Sequence, residues 1–476
     1  MRFKLFCRCR RALPSAGSES AFYNSNVLLL TRPGLLFIVL FGFVLLFINP
    51  AQSELRALEY AVPTSPEIPL ESREFDEPRG TLSLAEALSL ALLHNPALAV
   101  AAREVHAQDG AVQQVGLLPN PVFGVSAQNF ANSRLQGFDG DSLNWSLSQT
   151  ILLGGKRAKA IRVAELGREL AVWDYESQQM NVLTEVVLSY IGLIKAQQGF
   201  ELADGLVKLA DHMMEAVTAR VKVGETSPVD ETCARVSLAS VQIEKQRAKR
   251  ALGAARKRLA ASWASTSSEF EDAHGQLEPA KPIPSFTALM DRIAQNPDLA
   301  RWTSETIQRQ ASIDLASSRA IPNLTVSLGV QQYLKNGDNA VGAGISIPIP
   351  LFNRNQGNIL QANRRFDKAL DRRRETQILI TTALNTIYQQ LSADYAEVSI
   401  LETTVLPGAQ SAFEAVEKGY RRGRFNLLNV LDTQRTLFNA KLQHLRALAS
   451  YHQSKTKLQR LIGEPPEVVR NVKESK

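Results

Sequence analysis

The residues of this chain that could do chemistry are few, and their spacing argues against it. Gly154-Gly155-Lys156-Arg157 has the composition of a phosphate cradle. It lacks the spaced first glycine and the Ser/Thr after the lysine that such a loop needs, so it reads as a tight turn from a strand into a helix. His444 and His452 stand eight residues apart, whereas two imidazoles sharing a metal on one helix sit four apart. His94, His106, His212 and His274 are scattered. Cys233 has no cysteine near it for a disulfide, a redox pair or a zinc site, and reads as a small core residue near a helix turn. No nucleophile–base or metal-ligand spacing is present, so the sequence predicts no catalytic residues, no metal site and no cofactor.

The N-terminus carries an address rather than chemistry. Arg2, Lys4, Arg8, Arg10, Arg11 and Arg32 precede an apolar run over residues 35–48, which ends in Asn49-Pro50 and the small-x-small triplet Ala51-Gln52-Ser53. A basic start, a short apolar stretch and a small-residue cleavage site describe a secretory signal peptide over residues 1–53. The run is shorter than the roughly 20 residues of a membrane-spanning helix; an uncleaved anchor is the alternative. Cys7 and Cys9 fall in this segment, and no cysteine follows the apolar run where a lipid anchor would attach. Of the formal net charge of +7, the segment supplies +5, leaving forty-eight basic against forty-six acidic residues. The remaining balance gives no reason to expect nucleic acid. Residues 54–80, with Pro63, Pro66, Pro69 and Pro78, read as an extended lead-in.

Beyond Gly80 the chain can be laid over itself at an offset of about 200 residues. The first unit, 81–280, opens with a helix over residues 82–94 started by the capping box Ser83-x-x-Glu86. Asn95-Pro96 begins a second helix, with asparagine as cap and proline at the first helical position. The second unit, 281–463, repeats this as a helix over 285–295 followed by Asn296-Pro297. Leu118-Pro119-Asn120 and Ile321-Pro322-Asn323 each end a helix and start a strand. A tail follows over 464–476.

The predicted strands, about 121–130, 143–152, 323–333 and 340–349, alternate cleanly. Phe123, Val125, Leu143, Trp145, Leu147, Leu324, Val326, Leu328, Val330, Val341 and Ile345 fall on apolar positions, with Gly, Ser, Thr, Asn and Gln between them. One greasy and one small polar face over about ten residues is the strand pattern of a transmembrane barrel. The connecting segments 131–142 and 334–339 are polar and rich in turn residues. Four strands cannot close a barrel, because each unpaired backbone group in lipid costs several kcal/mol. Two copies give about eight strands, a bore that side chains fill, so a conduit needs three copies or more.

After each strand pair comes an exceptionally long helical stretch. Residues 156–223 contain no proline, which at about 1.5 Å per residue would reach about 100 Å. The matching stretch, 353–422, meets Pro407-Gly408, where a kink or loosening is expected. Glycines Gly224 and Gly423 turn the chain back into helices over 228–262 and 427–462.

Tyr420-Arg421-Arg422-Gly423-Arg424-Phe425-Asn426-Leu427-Leu428-Asn429-Val430-Leu431-Asp432 resembles the helix-turn motif of the TolC family of outer-membrane efflux proteins, and Val221-Lys222-Val223-Gly224-Glu225-Thr226-Ser227-Pro228-Val229-Asp230 resembles its partner. The resemblance covers nearly all of residues 81–463. Within the family, Leu118-Pro119-Asn120-Pro121-Val122-Phe123, residues 148–157 and residues 345–357 are similar to the CzcC-like cobalt–zinc–cadmium branch. This implies a mixed α and β membrane protein: a homotrimer with a 12-stranded transmembrane β-barrel in outer-membrane lipid and a periplasmic α-helical coiled-coil barrel. It further implies a periplasmic adaptor (membrane fusion) protein and an inner-membrane RND pump as partners, with heavy-metal cations as cargo; with no His-rich or Met-rich tract in the sequence to store them, the ions are expected to pass hydrated.

The resemblance also implies a periplasmic gate at the helix turns, formed here by Asp230 and Tyr420 as carboxylate and phenol. The family's neighbouring threonine is Val229 here, and its arginine position is Phe425 with Arg424 beside it, so only half of the latch is inherited. The alternative is that Asp230 caps the helix at Pro228 while Tyr420 packs in the coil. Gly224, Gly423, Arg421, Arg422 and Arg424 are the candidates for adaptor contact; the arginines are also suited simply to a helix C-terminus. Two rival readings are a drug-efflux or type I protein-secretion duct of the same fold, and a soluble coiled-coil scaffold. The exposed greasy strand faces oppose the scaffold.

Overall fold

The computed structural model describes residues 77–128, 142–334 and 337–465. The expected signal peptide, most of the lead-in, most of the first strand-connecting segment and most of the tail lie outside the described residues. The chain runs β1 (Gly80–Leu82), α1 (Leu84–His94), α2 (Pro96–Gly116), β2 (Val122–Gln128), β3 (Ser142–Ile151), α3 (Lys156–Lys222), α4 (Pro228–Ala260), β4 (Phe270–Ala273), α5 (Phe286–Met290), α6 (Pro297–Ser318), β5 (Leu324–Tyr333), β6 (Asn339–Ser346), α7 (Gln356–Ile400), α8 (Leu406–Arg421) and α9 (Leu427–Leu461).

Local chemistry sets most boundaries. Ser83 accepts from the Glu86 amide at 3.2 Å while Glu86 accepts from the Ser83 amide at 2.8 Å, closing a capping box that starts α1. The Ser83 amide and hydroxyl, both donating to the Glu86 carboxylate at 2.8 Å, hold it below its usual range. Asn95 and Asn296 cap α2 and α6, each with proline in the first turn. Their amides also donate to Ser262 O and Leu461 O, both at 2.8 Å, tying each cap to the end of a returning long helix. Two starts differ from the sequence reading. Leu82 belongs to a strand rather than to the helix after it, and the stretch expected as one helix over 285–295 is a short α5 and a 3-10 turn.

β2, β3, β5 and β6 form one antiparallel sheet in that order. The register gathers the apolar positions: Phe123 opposes Leu147, Val125 opposes Trp145, Trp145 opposes Val330, and Val330 opposes Val341. Directly opposed residues share a face, so these side chains make one band, with the Phe123 and Trp145 rings 6.2 Å apart. Much of it is open: Phe123 is 60%, Val341 75% and Ile345 74% exposed. The other face carries mostly Gly, Ser, Thr, Asn and Gln, with Val122, Tyr333 and Ala340 towards the strand ends, and none of the four strands bears a charged residue. β2 and β6 are edges.

The helices beside the sheet keep its order. α2 leads into β2, α3 leaves β3, α6 leads into β5 and α7 leaves β6, and the main packing runs α2–α3–α6–α7. Farther along, α4 and α9 take over from α2 and α6, giving α4–α3–α9–α7 and then α8. The Gly154-Gly155 turn, with φ of 74° and 67°, lets Lys156 reach the carbonyl of Ile321 and the side chain of Asn323. That glycine-lysine motif therefore pins one strand-to-helix turn to the other. Burial and the nearby Arg319 charge lower the Lys156 pKa.

Midway along α3, Val186, Leu193, Leu259, Trp263 and Phe270 are buried in one core with α1 and the parallel pair β1–β4. Tyr190 Oη donates to His274 O at 2.7 Å and lies 3.0 Å from Leu82 O, clamping both strands. Burial pushes its phenol up to about 12.

α7 and α8 are separated by a π turn over Leu401–Val405. Pro407 has no N–H and its ring crowds the carbonyl of residue 403, so the regular ladder cannot pass through. The opening therefore falls just before the proline rather than at Pro407-Gly408. Its wider turn takes up one residue. Leu384, Leu391 and Val398 are buried seven apart, as are Phe413 and Tyr420, but Val398 and Phe413 are fifteen apart. The extra residue of the π turn keeps both halves on one core stripe.

Candidate functional site

The far ends of the long helices close with the same turn. At the first, Gly224 (φ 77°) donates to Val221 O at 3.0 Å and Glu225 to Arg220 O at 2.9 Å. At the second, Gly423 (φ 70°) donates to Tyr420 O at 2.9 Å and Arg424 to Gly419 O at 2.9 Å. Both are Schellman closures, which require a left-handed residue that glycine supplies without strain. Each return helix is then capped three residues later, by Ser227 and by Asn426.

Around these turns Val217, Ala234, Phe413, Tyr420, Leu427, Val430 and Leu437 form a separate core. Tyr420 is buried in it. The Arg220 guanidinium carbon lies 5.0 Å from the Tyr420 ring centroid, a cation–π contact between the two turns. Arg220 also pairs with Glu225 at 3.3 Å. Asp230 lies in the first turn of α4, where it accepts from the Thr226 hydroxyl. Ser227, whose Oγ accepts from the Val229 amide at 3.2 Å, is the helix cap. Among the described residues no hydrogen bond joins Tyr420 to Asp230 within one chain.

Phe425, at the family's arginine position, lies against Gly419, where any side chain would collide with the ring. Arg421 pairs with Glu417 at 2.6 Å. Arg422 and Arg424 are exposed and make no ion pair among the described residues. Cys233 is half-buried and free. His444 meets Glu402 at 3.0 Å rather than His452. Among the described residues no group of three His, Cys, Asp or Glu side chains could hold a metal ion.

The sequence reading missed Arg220. Its only local signal is a place one turn before Gly224, where a cation suits the C-terminal dipole. That it lies over Tyr420 depends on how the two coils pack.

An open four-stranded sheet with an exposed apolar band is thus joined to long helices that end in paired Schellman turns. Residues 87–265 and 289–464 match the family described as outer membrane efflux protein. The chain belongs to the outer membrane efflux protein family.

Its relatives agree. It is 36% identical to the cobalt-zinc-cadmium resistance protein CzcC of Cupriavidus metallidurans, over 81% of this chain and 91% of that protein. It is 25% identical to the nickel-cobalt-cadmium resistance protein NccC of Alcaligenes xylosoxydans xylosoxydans, over 66% and 72%. The crystal structure of CusC superposes with a TM-score of 0.68 at 16% identity, covering 84% of this chain and 98% of that one. The protein is thus an outer-membrane efflux channel with a periplasmic helical extension. Among the described residues no single helix is long and apolar enough to cross a membrane.

Proposed function

We propose that this channel is the outer-membrane duct of a tripartite efflux system. Three copies, each a two-fold internal repeat, close a twelve-stranded barrel and a helical tunnel. A periplasmic adaptor docks at the turns bearing Gly224, Gly423, Arg421, Arg422 and Arg424. An inner-membrane pump of the RND class supplies the driving force and delivers heavy-metal cations. The channel contributes a path and a gate, with Asp230 and Tyr420 at the periplasmic end.

The observation that carries this reading is the pair of open edges, β2 and β6, on a sheet with an exposed apolar band. Unpaired backbone groups in hydrocarbon each cost several kcal/mol, so the edges must meet other copies. Two copies would give about eight strands, a filled bore. The uncharged polar face suits hydrated ions passing without a binding stop. The metal cargo is supported by the similarity to CzcC and NccC, and Asp230 and Tyr420 by their place at the turns.

A deletion strain challenged with cobalt, zinc, cadmium, nickel, copper and silver, then with antibiotics and dyes, tests the cargo. Selective metal sensitivity, restored by the wild-type gene, is expected. Sensitivity confined to antibiotics and dyes would reassign the duct to drug efflux.

A further inference from the structure

Where the strands hand over to the helices, the chain changes from apolar to basic within a few residues. Leu117, Leu118, Ile321, Ile349, Leu351 and Phe352 are all exposed at these junctions, Phe352 at 90%. Beside them in the chain stand Lys156, Arg157, Lys159, Arg319 and Arg354. Hydrogen bonds hold the junctions at one level across the layer. Arg157 Nε donates to Gly116 O at 2.6 Å, joining the start of α3 to the end of α2. Lys156 reaches Ile321 O and Asn323, joining the start of α3 to the start of β5. Asn355 Nδ2 donates to Ala316 O at 2.7 Å, joining the start of α7 to the end of α6.

No carboxylate answers these five cations. Among the described residues none of them makes an ion pair, and the bonds of Lys156, Arg157 and Arg354 go to uncharged oxygens. The sequence supplies the reason. From Gly110 to Ala164 the acids are Asp139 and Asp141 alone, and from Leu315 to Phe366 Asp338 alone. All three fall in the connections between strands, away from the helix junctions in the chain. The cations also crowd one another: the Arg319 charge adds to burial in lowering the Lys156 pKa. A neighbouring copy cannot supply the missing anions, because it brings the same collar.

We propose that this collar binds the phosphate groups of anionic phospholipid in the periplasmic leaflet of the outer membrane. This rests on the barrel reading above and names the lipid that the barrel's lower rim selects. The helices are the periplasmic extension, so their junctions with the sheet lie at that leaflet. Exposed apolar side chains followed directly by cations are the profile of an interface where acyl chains give way to headgroups. Acyl chains cover Leu351 and Phe352, while Lys159, Arg319 and Arg354 meet phosphate oxygens. Each Lys or Arg near an anionic surface favours binding roughly fivefold, an effect that salt weakens.

The test counts the lipids that the full-length channel retains. The protein is reconstituted into vesicles with equal amounts of phosphatidylglycerol and phosphatidylcholine, extracted in mild detergent, and weighed by native mass spectrometry. Wild type is expected to keep phosphatidylglycerol several-fold over phosphatidylcholine. Lys159→Gln, Arg319→Gln and Arg354→Gln combined should bring the two lipids to parity. Lys159→Arg, Arg319→Lys and Arg354→Lys combined should keep the preference, which a merely structural role would not ensure. Lys249→Gln, Arg250→Gln and Lys257→Gln, which remove as many exposed charges from α4, should leave the ratio unchanged. Should the triple collar variant fail to insert, each single change should lower the ratio by a smaller step, and no step in any of them overturns the collar. Equal retention by a wild-type channel that conducts in planar bilayers overturns the collar and leaves the duct reading standing. A preference that the α4 variant loses as well reflects net charge alone and also overturns it. Loss of the preference on adding inorganic phosphate at constant ionic strength marks a free-anion site and overturns the lipid assignment. Failure of the wild type to insert or conduct would overturn the duct reading together with the collar.

Discussion

The strand sheet and the helix layer have the same order and the same two open sides, but the sides differ in kind. At β2 and β6 it is backbone N–H and C=O that lack partners, and nothing in hydrocarbon can replace a neighbouring strand. Along α4 and α7–α8 the backbone is satisfied within each helix, and only side chains are left uncovered. In the proposed assembly barrel closure is therefore obligatory, whereas helix closure is a balance of modest side-chain terms. The proposed gate lies in the second region, where Tyr420 is held by packing and one cation–π contact.

The largest effect should come from breaking the obligatory region. Val330→Arg puts a charge in the apolar band, between Trp145 and Val341. A charge facing lipid near the midplane costs roughly 2–4 kcal/mol, repeated in every copy, so heat-modifiable protein in the outer membrane should fall sharply. Asn144→Lys, on the polar face opposite Ser126 and Gln331, should assemble normally and alter only ion selectivity in planar bilayers. Equal loss from both would mean that the two faces are not distinct.

Loosening the negotiable region should spare assembly and change permeability. Tyr420→Phe combined with Asp230→Ala is expected to let bulky antibiotics leak inward and to raise single-channel conductance. Unchanged drug sensitivity and conductance at wild-type expression would count against the gate. Arg220→Ala, which removes a contact worth about 0.5–1 kcal/mol, should move both readouts the same way by less.

The smallest effect concerns the pin between α3 and α4. Lys208 at 2.8 Å and Lys245 at 2.5 Å hydrogen-bond to Asp204 and hold its carboxyl down to about 2. A depressed carboxylate contributes stability above its unfolded value and loses it as pH falls through the folded one. Protection in α3–α4, corrected for the intrinsic pH dependence of exchange, should therefore hold from neutral pH to about pH 5 and fall as pH drops from the ordinary carboxylate range towards about 2. Asp204→Asn should be slightly less protected at neutral pH and should lack that acid-dependent fall, and wild-type protection as flat as the variant's down to about pH 2 would contradict the pin.

Much of this architecture is legible along the chain because its signals are local. The Asn-Pro starts of α2 and α6, the glycine turns at Gly224 and Gly423, and the period-two strands each depend on residues within a turn or two of one another. The candidate site was legible only in part. The places of Tyr420 and Asp230 at the turns follow from the glycines, but the contact between Arg220 and Tyr420 joins two coils far apart in sequence. The pair β1–β4 escaped notice for the same reason, as three residues matched across a long gap carry almost no pattern.

The sequence by itself determined the four strands of the antiparallel sheet, where the long helices turn, and that the sheet must find partners. Propensity, capping and backbone hydrogen bonding act at short range and leave marks in neighbouring residues. Only the tertiary structure decided that β3 lies beside β5, that Lys156 ties the two strand-to-helix turns, and that the irregular turn is placed to keep Val398 and Phe413 on one stripe. It also decided which helix faces are left bare. Those are outcomes of packing between distant segments, where the cost of a misplaced residue is felt only once the opposite wall is present.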